Sequence, residues 1–156
     1  MVFIPMVWDE AADLRSGIAA DHYRGCAVTQ SLLASMGADT SGEEAEYAAL
    51  SYAGVLALVL KPGSARLLVA AEVQPGQLTD LCEPHGEVEL RGLTWPQVRA
   101  LFADEPAATE PARLASEAVT GQSMAGALAA PEAGLLLDEY DLLWFAPGEL
   151  DQLQCD

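Results

Sequence analysis

The chain has 156 residues, 51% of them hydrophobic and 20% charged, so it is long and apolar enough to fold around a core without a metal or a disulfide. Its 24 acidic residues outnumber 7 basic ones, and the net charge of −17 argues against binding to nucleic-acid phosphates or to an anionic membrane. The three cysteines lie far apart and no basic signal segment precedes Asp9, so we expect a cytoplasmic protein with free cysteines.

The first forty residues predict a strand, a helix, a brief extended segment and a second helix. A β-rich run that ends at a proline is typical of a strand, and acids in a first turn are favoured by the helix dipole. The second helix is expected to begin after Thr29, its N-cap, and to end at Gly37. The predicted bounds are residues 2–4, residues 9–20 with Leu14 and Ile18 on one face, residues 26–28, and Gln30–Met36.

A longer helix is predicted from Ser41 to about Lys61. Ser41 and Glu44 have the spacing of a capping box, and a Pro-Gly pair follows Lys61. Residues 47–60 carry no charge but are too few to cross a bilayer, which needs about 20. Because residues 53–60 are apolar on every side, we expect this helix to be covered by the core or by a second subunit.

The rest of the chain predicts three or four strands and two helices. One run is apolar throughout, as in a central strand, and the next alternates polar and apolar residues. Residues 98–103 fit a strand or a short helix, and we favour a strand. The other predictions are strands at 66–73, 86–91 and 142–145, a helix at 111–120, a loosely ordered Ala/Pro/Glu/Gly-rich segment at about 104–137, and a terminal helix at 148–153 opened by Pro147.

This order of elements predicts the fold class. Without the ambiguous segment it is βαββαβ, which is the order of ferredoxin-like folds. We therefore expect one α+β domain over residues 1–156, with helices packed mainly on one face of the sheet and extra helices after the first strand.

Three motifs give the chain a family resemblance. They are V-F-I-P at the start, E-x-E-Y-A-A-L at residues 44–50 and L-L-W-F-A-P-x-E-L at residues 142–150. With these motifs the chain resembles a family of small uncharacterised actinobacterial proteins. The resemblance implies a bacterial cytoplasmic protein and carries no activity, cofactor or catalytic residue onto this sequence.

Histidine and cysteine spacings suggest a weak metal-site candidate. His22 and Cys26 are four residues apart, and Cys82 and His85 are three apart. Together they would form a Cys2His2 set suited to zinc. Such spacings arise easily by chance, and Gly25 interrupts a helix that would align the first pair. We therefore expect no bound metal and no cofactor, with Cys26 a buried hydrophobic residue.

Two groups of carboxylates are the weak catalytic candidates. One precedes the last strand and the other begins the long helix, so the groups would bind a hard cation or act as an acid–base pair only if they converge. Glu139 and Asp141 are the first suspects, because residues two apart on a strand share a face. The simpler interpretation is a solvated loop and a helix start. The two groups are Asp138, Glu139 and Asp141, and Glu43, Glu44 and Glu46.

Tryptophans suggest an interaction surface. Trp8 lies at a strand end and Trp95 on a connection, where complete burial is less automatic, so both are candidate binding residues. Aromatic side chains among acids suit a basic or amphipathic partner. The alternative is that these tryptophans close the ends of the core.

Three hypotheses follow for function. The first is a non-enzymatic interaction module, expected to be a homodimer and to bind a basic protein partner, with DNA mimicry as a special case. The second is a metal-dependent enzyme that uses the clustered carboxylates. The third is adaptation to a saline cytoplasm, which would leave the acidity without a specific role. The sequence contains no G-x-S-x-G elbow and no phosphate loop, so the first hypothesis is favoured.

Overall fold

Seven strands form one antiparallel sheet in the computed structural model, which describes residues 1–63 and 65–153. The sheet order is β4-β5-β2-β1-β3-β6-β7. The α+β class expected from the sequence is confirmed. The strands are β1 (Val2–Pro5), β2 (His22–Ala27), β3 (Leu67–Ala71), β4 (Leu78–Asp80), β5 (Glu87–Arg91), β6 (Val98–Ala103) and β7 (Leu143–Phe145).

Helices cover both faces of the sheet, most of them on one side. Phe3 packs among helices α2 to α6, whereas Val2 and Ile4 face α1 and the 3-10 helix Pro147–Leu153, as alternation along a strand requires. The sheet therefore separates two apolar clusters: a larger one that contains Phe3, and a smaller one on the opposite face that contains Val2 and Ile4. The helices are α1 (Trp8–Arg15), α2 (Gln30–Met36), α3 (Gly42–Leu60), α4 (Thr109–Val119), α5 (Met124–Ala129) and α6 (Pro131–Glu139).

Helix α3 is the centre of the larger cluster. The Ser41 side chain accepts a hydrogen bond from the Glu44 N–H at 3.1 Å, which confirms the predicted cap. Residues 53–58 are buried against strands β1 to β3 and helices α4 and α5. Residues 53–58 of α3 are thus covered by the chain itself, but the expectation that the helix is fully covered from Tyr47 onward is wrong, because Tyr47 is 61% exposed.

Two short connections cross the face of the sheet opposite α3. Residues 72–77 lead from β3 to the far edge strand β4, and residues 92–97 lead from β5 back to β6. Where they meet, the side-chain amides of Gln77 and Gln97 hydrogen-bond each other at 2.8 and 3.3 Å. Each amide oxygen also accepts a hydrogen bond from a backbone N–H of its own turn, that of Gln74 for one and that of Thr94 for the other. A six-residue connection can reach this far, because four strand spacings amount to about 19 Å and an extended chain covers about 3.4 Å per residue.

The topology differs from the ferredoxin-like order in specific places, and that arrangement is not confirmed. Residues 98–103 are a strand, as favoured, but β4 was missed because three residues give almost no periodic signal. One split β-α-β unit is present, since β2 and β3 flank β1 and are joined through α2 and α3. The helices do pack mainly on one face.

Two helical predictions also need correction. The first helix ends at Arg15 and not near residue 20, because Gly17 adopts a φ of 90° and turns the chain. The segment expected to be loosely ordered contains α5 and α6 after α4. Ser123 caps α5 and Pro131 begins α6, so the local signals were present but were outweighed by the Ala/Pro/Gly composition.

We predict that Leu56→Ala lowers the free energy of unfolding by about 2–5 kcal/mol, because Leu56 is 3% exposed inside the larger cluster. Leu114→Ala is the matched control on α4, where the leucine is 47% exposed, and should cost less than about 1 kcal/mol. Urea unfolding of both variants measures the difference. Equal costs would mean that α3 is not the centre of the core.

Candidate functional site

The structure does not assemble the four suggested zinc ligands. His22 and Cys26 lie at opposite ends of β2, about 13 Å apart along the strand. Cys82 is exposed in the turn after β4, and the His85 ring stacks edge-on against Tyr52 with ring centres 5.0 Å apart. Within residues 1–63 and 65–153, no three His, Cys, Asp or Glu side chains are grouped for a metal ion.

Cys26 is a buried thiol with a shifted acidity. Burial, with a smaller contribution from the nearby Glu87 carboxylate, raises its pKa to about 12, and Arg24 opposes the shift. The thiolate is the reactive and metal-binding form, so Cys26 is inert at neutral pH. This agrees with its expected role as a small hydrophobic residue. Cys155, the third cysteine, lies outside the described residues.

The structure does not place the two first suspects, Glu139 and Asp141, on one face of a strand as expected. Glu139 is the last residue of α6, so it does not share a strand face with Asp141. Asp138, Glu139 and Asp141 are all exposed. Glu43 and Glu44 sit in the first turn of α3 and Glu46 follows them, as the simpler interpretation predicted.

The two tryptophans chosen from the sequence are partly buried and belong to the smaller cluster. Trp8 donates from its indole nitrogen to the Leu150 carbonyl at 2.8 Å, so it joins α1 to the 3-10 helix Pro147–Leu153. Trp95 helps to line a pocket of about 170 Å³ beside α1. Arg15, the charged residue of that pocket, pairs with Asp151 at 2.9 Å.

A second pocket lies between α3 and the end of α6. It has a volume of about 120 Å³. Tyr47, which is 61% exposed, stands at its rim. Asp141, one of the catalytic suspects, is also a lining residue. The lining residues are Tyr47, Leu50, Ser51, Arg66, Leu137, Tyr140, Asp141 and Leu142.

A buried ion pair closes one side of this pocket. The side chains of Arg66 and Asp104 are only 2% and 1% exposed. Arg66 Nη2 donates to Asp104 at 2.6 Å, and Nε and the backbone N–H of Arg66 donate to the same carboxylate. The carboxylate is therefore fully hydrogen-bonded, which a buried charge requires.

The other large apolar groups near the pocket lie along β7. Trp144 is 62% exposed and pairs with Phe102 of β6, so it lies on the same face of the sheet as the pocket helices. Leu142, two residues earlier, lines the pocket. We call Tyr47, Tyr140, Leu142 and Trp144 the β7 patch. From the sequence, Trp144 is also a large aromatic anchor, but Trp8 and Trp95 were preferred because they lie at a strand end and on a connection, where burial is less automatic.

Every basic side chain is already used in an ion pair. Most of the 24 acids therefore have no Lys or Arg partner within the described part of the chain. Beyond Arg113 the sequence contains acids but no Lys, Arg or His, and this stretch includes α6 and β7. The pairs are Arg15–Asp151, Arg24–Glu87, Lys61–Glu10, Arg66–Asp104, Arg91–Glu89, Arg99–Glu72, and Arg113 with Glu110 and Glu117.

The fold and the site define an acidic α+β domain with a small pocket and with two exposed large aromatic side chains, Tyr47 and Trp144, in the described part of the chain. The chain belongs to DUF6912, a family of unknown function whose model matches residues 1–154. Comparison with curated proteins and with solved structures gave no match. No helix among the described residues has the length and apolar character needed to span a membrane.

We predict a large difference in thiol reactivity between Cys26 and Cys82. In a Cys155→Ser background, a disulfide reagent at about pH 8 should modify Cys82 at once and Cys26 only on unfolding. A pKa near 12 in place of 9 lowers the thiolate fraction about a thousandfold, and burial excludes the reagent. Modification of both thiols at similar rates in the folded protein would contradict this.

The same shift predicts a dependence of stability on pH. The pKa of Cys26 is higher in the folded chain, so its contribution is complete below about pH 9 and is lost as pH rises towards 12. The loss from this group approaches about 1.4 kcal/mol per pH unit. Cys26→Ala should lack this component when the pH dependence of urea unfolding is compared with that of the wild type.

We predict that removing one partner of the Arg66–Asp104 pair lowers the free energy of unfolding far more than replacing both partners does. Arg66→Met should cost about 3–5 kcal/mol because it leaves a buried carboxylate without its cation. Adding Asp104→Asn should recover much of that cost, since the amide oxygen still accepts the Arg66 backbone N–H. Arg99→Met, in an exposed pair with Glu72, should cost less than about 1 kcal/mol. Additive effects in the double variant would refute the coupling.

Proposed function

We propose that the protein is a non-enzymatic binding protein whose β7 patch receives a basic, amphipathic segment of a partner protein. The observation that carries this proposal is an exposed tryptophan on a surface whose cations are all used in internal pairs. Trp144 and Tyr47 are each about three-fifths exposed. Exposed aromatic side chains of this size are the usual anchors of protein interfaces.

The charge around the patch favours a partner segment of positive charge. Asp138, Glu139 and Asp141 lie exposed at its α6 end, and Glu43 and Glu44 begin the helix that carries Tyr47. Cations on a partner would be attracted to these carboxylates, whereas an acidic partner would be repelled. An amphipathic segment satisfies both features, because its apolar residues cover Trp144 and its basic residues meet the acids.

A second copy of this chain fits the patch less well. Two copies of charge −17 repel each other, and acids lie on both sides of the patch. The apolar surface of α3, which suggested a homodimer, is buried within the chain. The homodimer therefore stays a prediction and is one outcome of the test below.

The other hypotheses have less support. Glu139 and Asp141 are exposed on a helix end and the residues after it, which does not favour an acid–base pair. Salt adaptation would account for the acid excess but not for an exposed tryptophan. The cytoplasmic location and the actinobacterial origin stay predictions, and free Cys26 and Cys82 are compatible with a reducing compartment.

A synthetic amphipathic helix of Lys and Leu, about 18 residues long, tests the proposal. It should bind at about 0.15 M NaCl and shift the backbone NMR signals of β7, the end of α6 and the start of α3. Trp144→Ala should weaken binding about tenfold or more. Ile18→Ala is the matched control, because Ile18 is 64% exposed but lies on the loop after α1.

Four results would count against the proposal. They are no binding, equal binding of a Glu/Leu helix of the same pattern, signal shifts centred on Trp8 or Trp95, and an unchanged affinity in Trp144→Ala. Sedimentation of the free protein completes the test. A dimer that Trp144→Ala dissociates would assign the patch to a second copy of the chain.

A further inference from the structure

The pocket between α3 and α6 is lined by a largely buried guanidinium, one nitrogen of which has no hydrogen-bond partner among the described residues. Nε and Nη2 of Arg66 donate to Asp104, but Nη1 donates to no residue within 1–63 and 65–153. All completely buried side-chain nitrogens and oxygens in those ranges do have partners, so Nη1 retains access to solvent. Arg66 lines the pocket, which is where that access lies.

Local packing fixes the position of Nη1. It lies over Gly54 in the middle of α3, where a Cβ atom would be 3.1 Å from Nη1 and 3.6 Å from a methyl group of Leu142. A glycine inside a helix costs about 1 kcal/mol relative to alanine, so it needs a packing reason, and the guanidinium provides one. The free N–H groups are thus held beside an apolar wall.

The charge of the surroundings decides which acceptor suits this donor. The positive charge of Arg66 is already matched by Asp104, and Asp141 lies at the same pocket. A carboxylate ligand would therefore add a net negative charge to a low-dielectric site in a protein of charge −17. A neutral carbonyl oxygen accepts the same hydrogen bonds without that cost.

The rest of the lining suits an aliphatic side chain. Leu50, Leu137 and Leu142 form the apolar wall. The volume of about 120 Å³ is close to that of a cavity of about 150 Å³ that holds benzene, so a branched four-carbon side chain fits. Tyr47, Tyr140 and Leu142 line the pocket and are also members of the β7 patch.

We infer that this pocket anchors the bound segment: it takes up one aliphatic side chain, and Arg66 Nη1 donates to a neutral backbone carbonyl oxygen of the same segment. The inference rests on the proposed function and adds to it the chemistry of the anchor residue. Arg66 has two roles in this account, pairing with Asp104 on one edge of its guanidinium and binding peptide with the other.

N-acetyl-leucine methylamide is the probe, because it presents one aliphatic side chain between two neutral carbonyl groups. It should bind with a dissociation constant on the order of 1 mM. The guanidinium NMR signals of Arg66 and the backbone signals of Ser51 and Leu142 should shift. N-acetyl-leucine carboxylate should bind at least about tenfold more weakly, as should N-acetyl-alanine methylamide.

Two variants separate the pocket from a general loss of structure. Ser51→Met should fill the pocket from α3 and abolish binding of the probe, whereas Ser31→Met on α2 is the matched control and should leave it unchanged. Arg66→Lys keeps a cation opposite Asp104 but removes the fork that offers Nη1, and should weaken binding about tenfold. Thermal unfolding of each variant verifies that it is folded.

The outcomes distinguish this inference from the proposed function. Tighter binding of the carboxylate probe would make the pocket an anion site, and the absence of Arg66 shifts at saturating probe would leave it without a ligand role. Either result overturns the inference. If the Lys/Leu helix still bound through Trp144 in those cases, the proposed function would stand without this anchor.

Discussion

The buried ion pair between Arg66 and Asp104 is the interaction on which the site depends. It joins the residue before β3 to the residue after β6, at the end of the sheet where β7 begins. Two charges with almost no exposure need hydrogen bonds between them, and the Asp104 carboxylate accepts them from the backbone N–H, Nε and Nη2 of Arg66. The pair in turn fixes Nη1 above Gly54 and beside Leu142. Loss of either partner would thus disturb the pocket and the sheet together.

The surface carries a net negative charge because the chain contains few cations. All seven Lys and Arg side chains form ion pairs, and most of the acids have no such partner among the described residues. The exposed aromatic residues of the β7 patch therefore lie on a surface of net negative charge. In the proposed complex, this charge would attract a basic partner and contact with Trp144 would supply the affinity.

Much of the local structure was predictable because it depends on neighbouring residues. Ser41 and Thr29 cap their helices, and alternation or continuous apolarity identified β5 and β3. The failures occurred where local signals were weak or opposed. Strand β4 has three residues, and α5 and α6 lie in a stretch whose glycines and prolines outweighed its caps. The cysteine and histidine spacing gave only a weak metal-site candidate, because distance along a chain does not measure distance in space.

The sequence alone determined the class of the fold, the burial of residues 53–58 of α3 and the excess of acids. These properties depend on composition, caps and periodicity, which act within a few residues. Only the tertiary structure decided which residues form the site. Arg66 and Asp104 are 38 residues apart, and Tyr47 and Leu142, from opposite halves of the chain, line the same pocket. Such proximity depends on strand order, which no periodic pattern encodes.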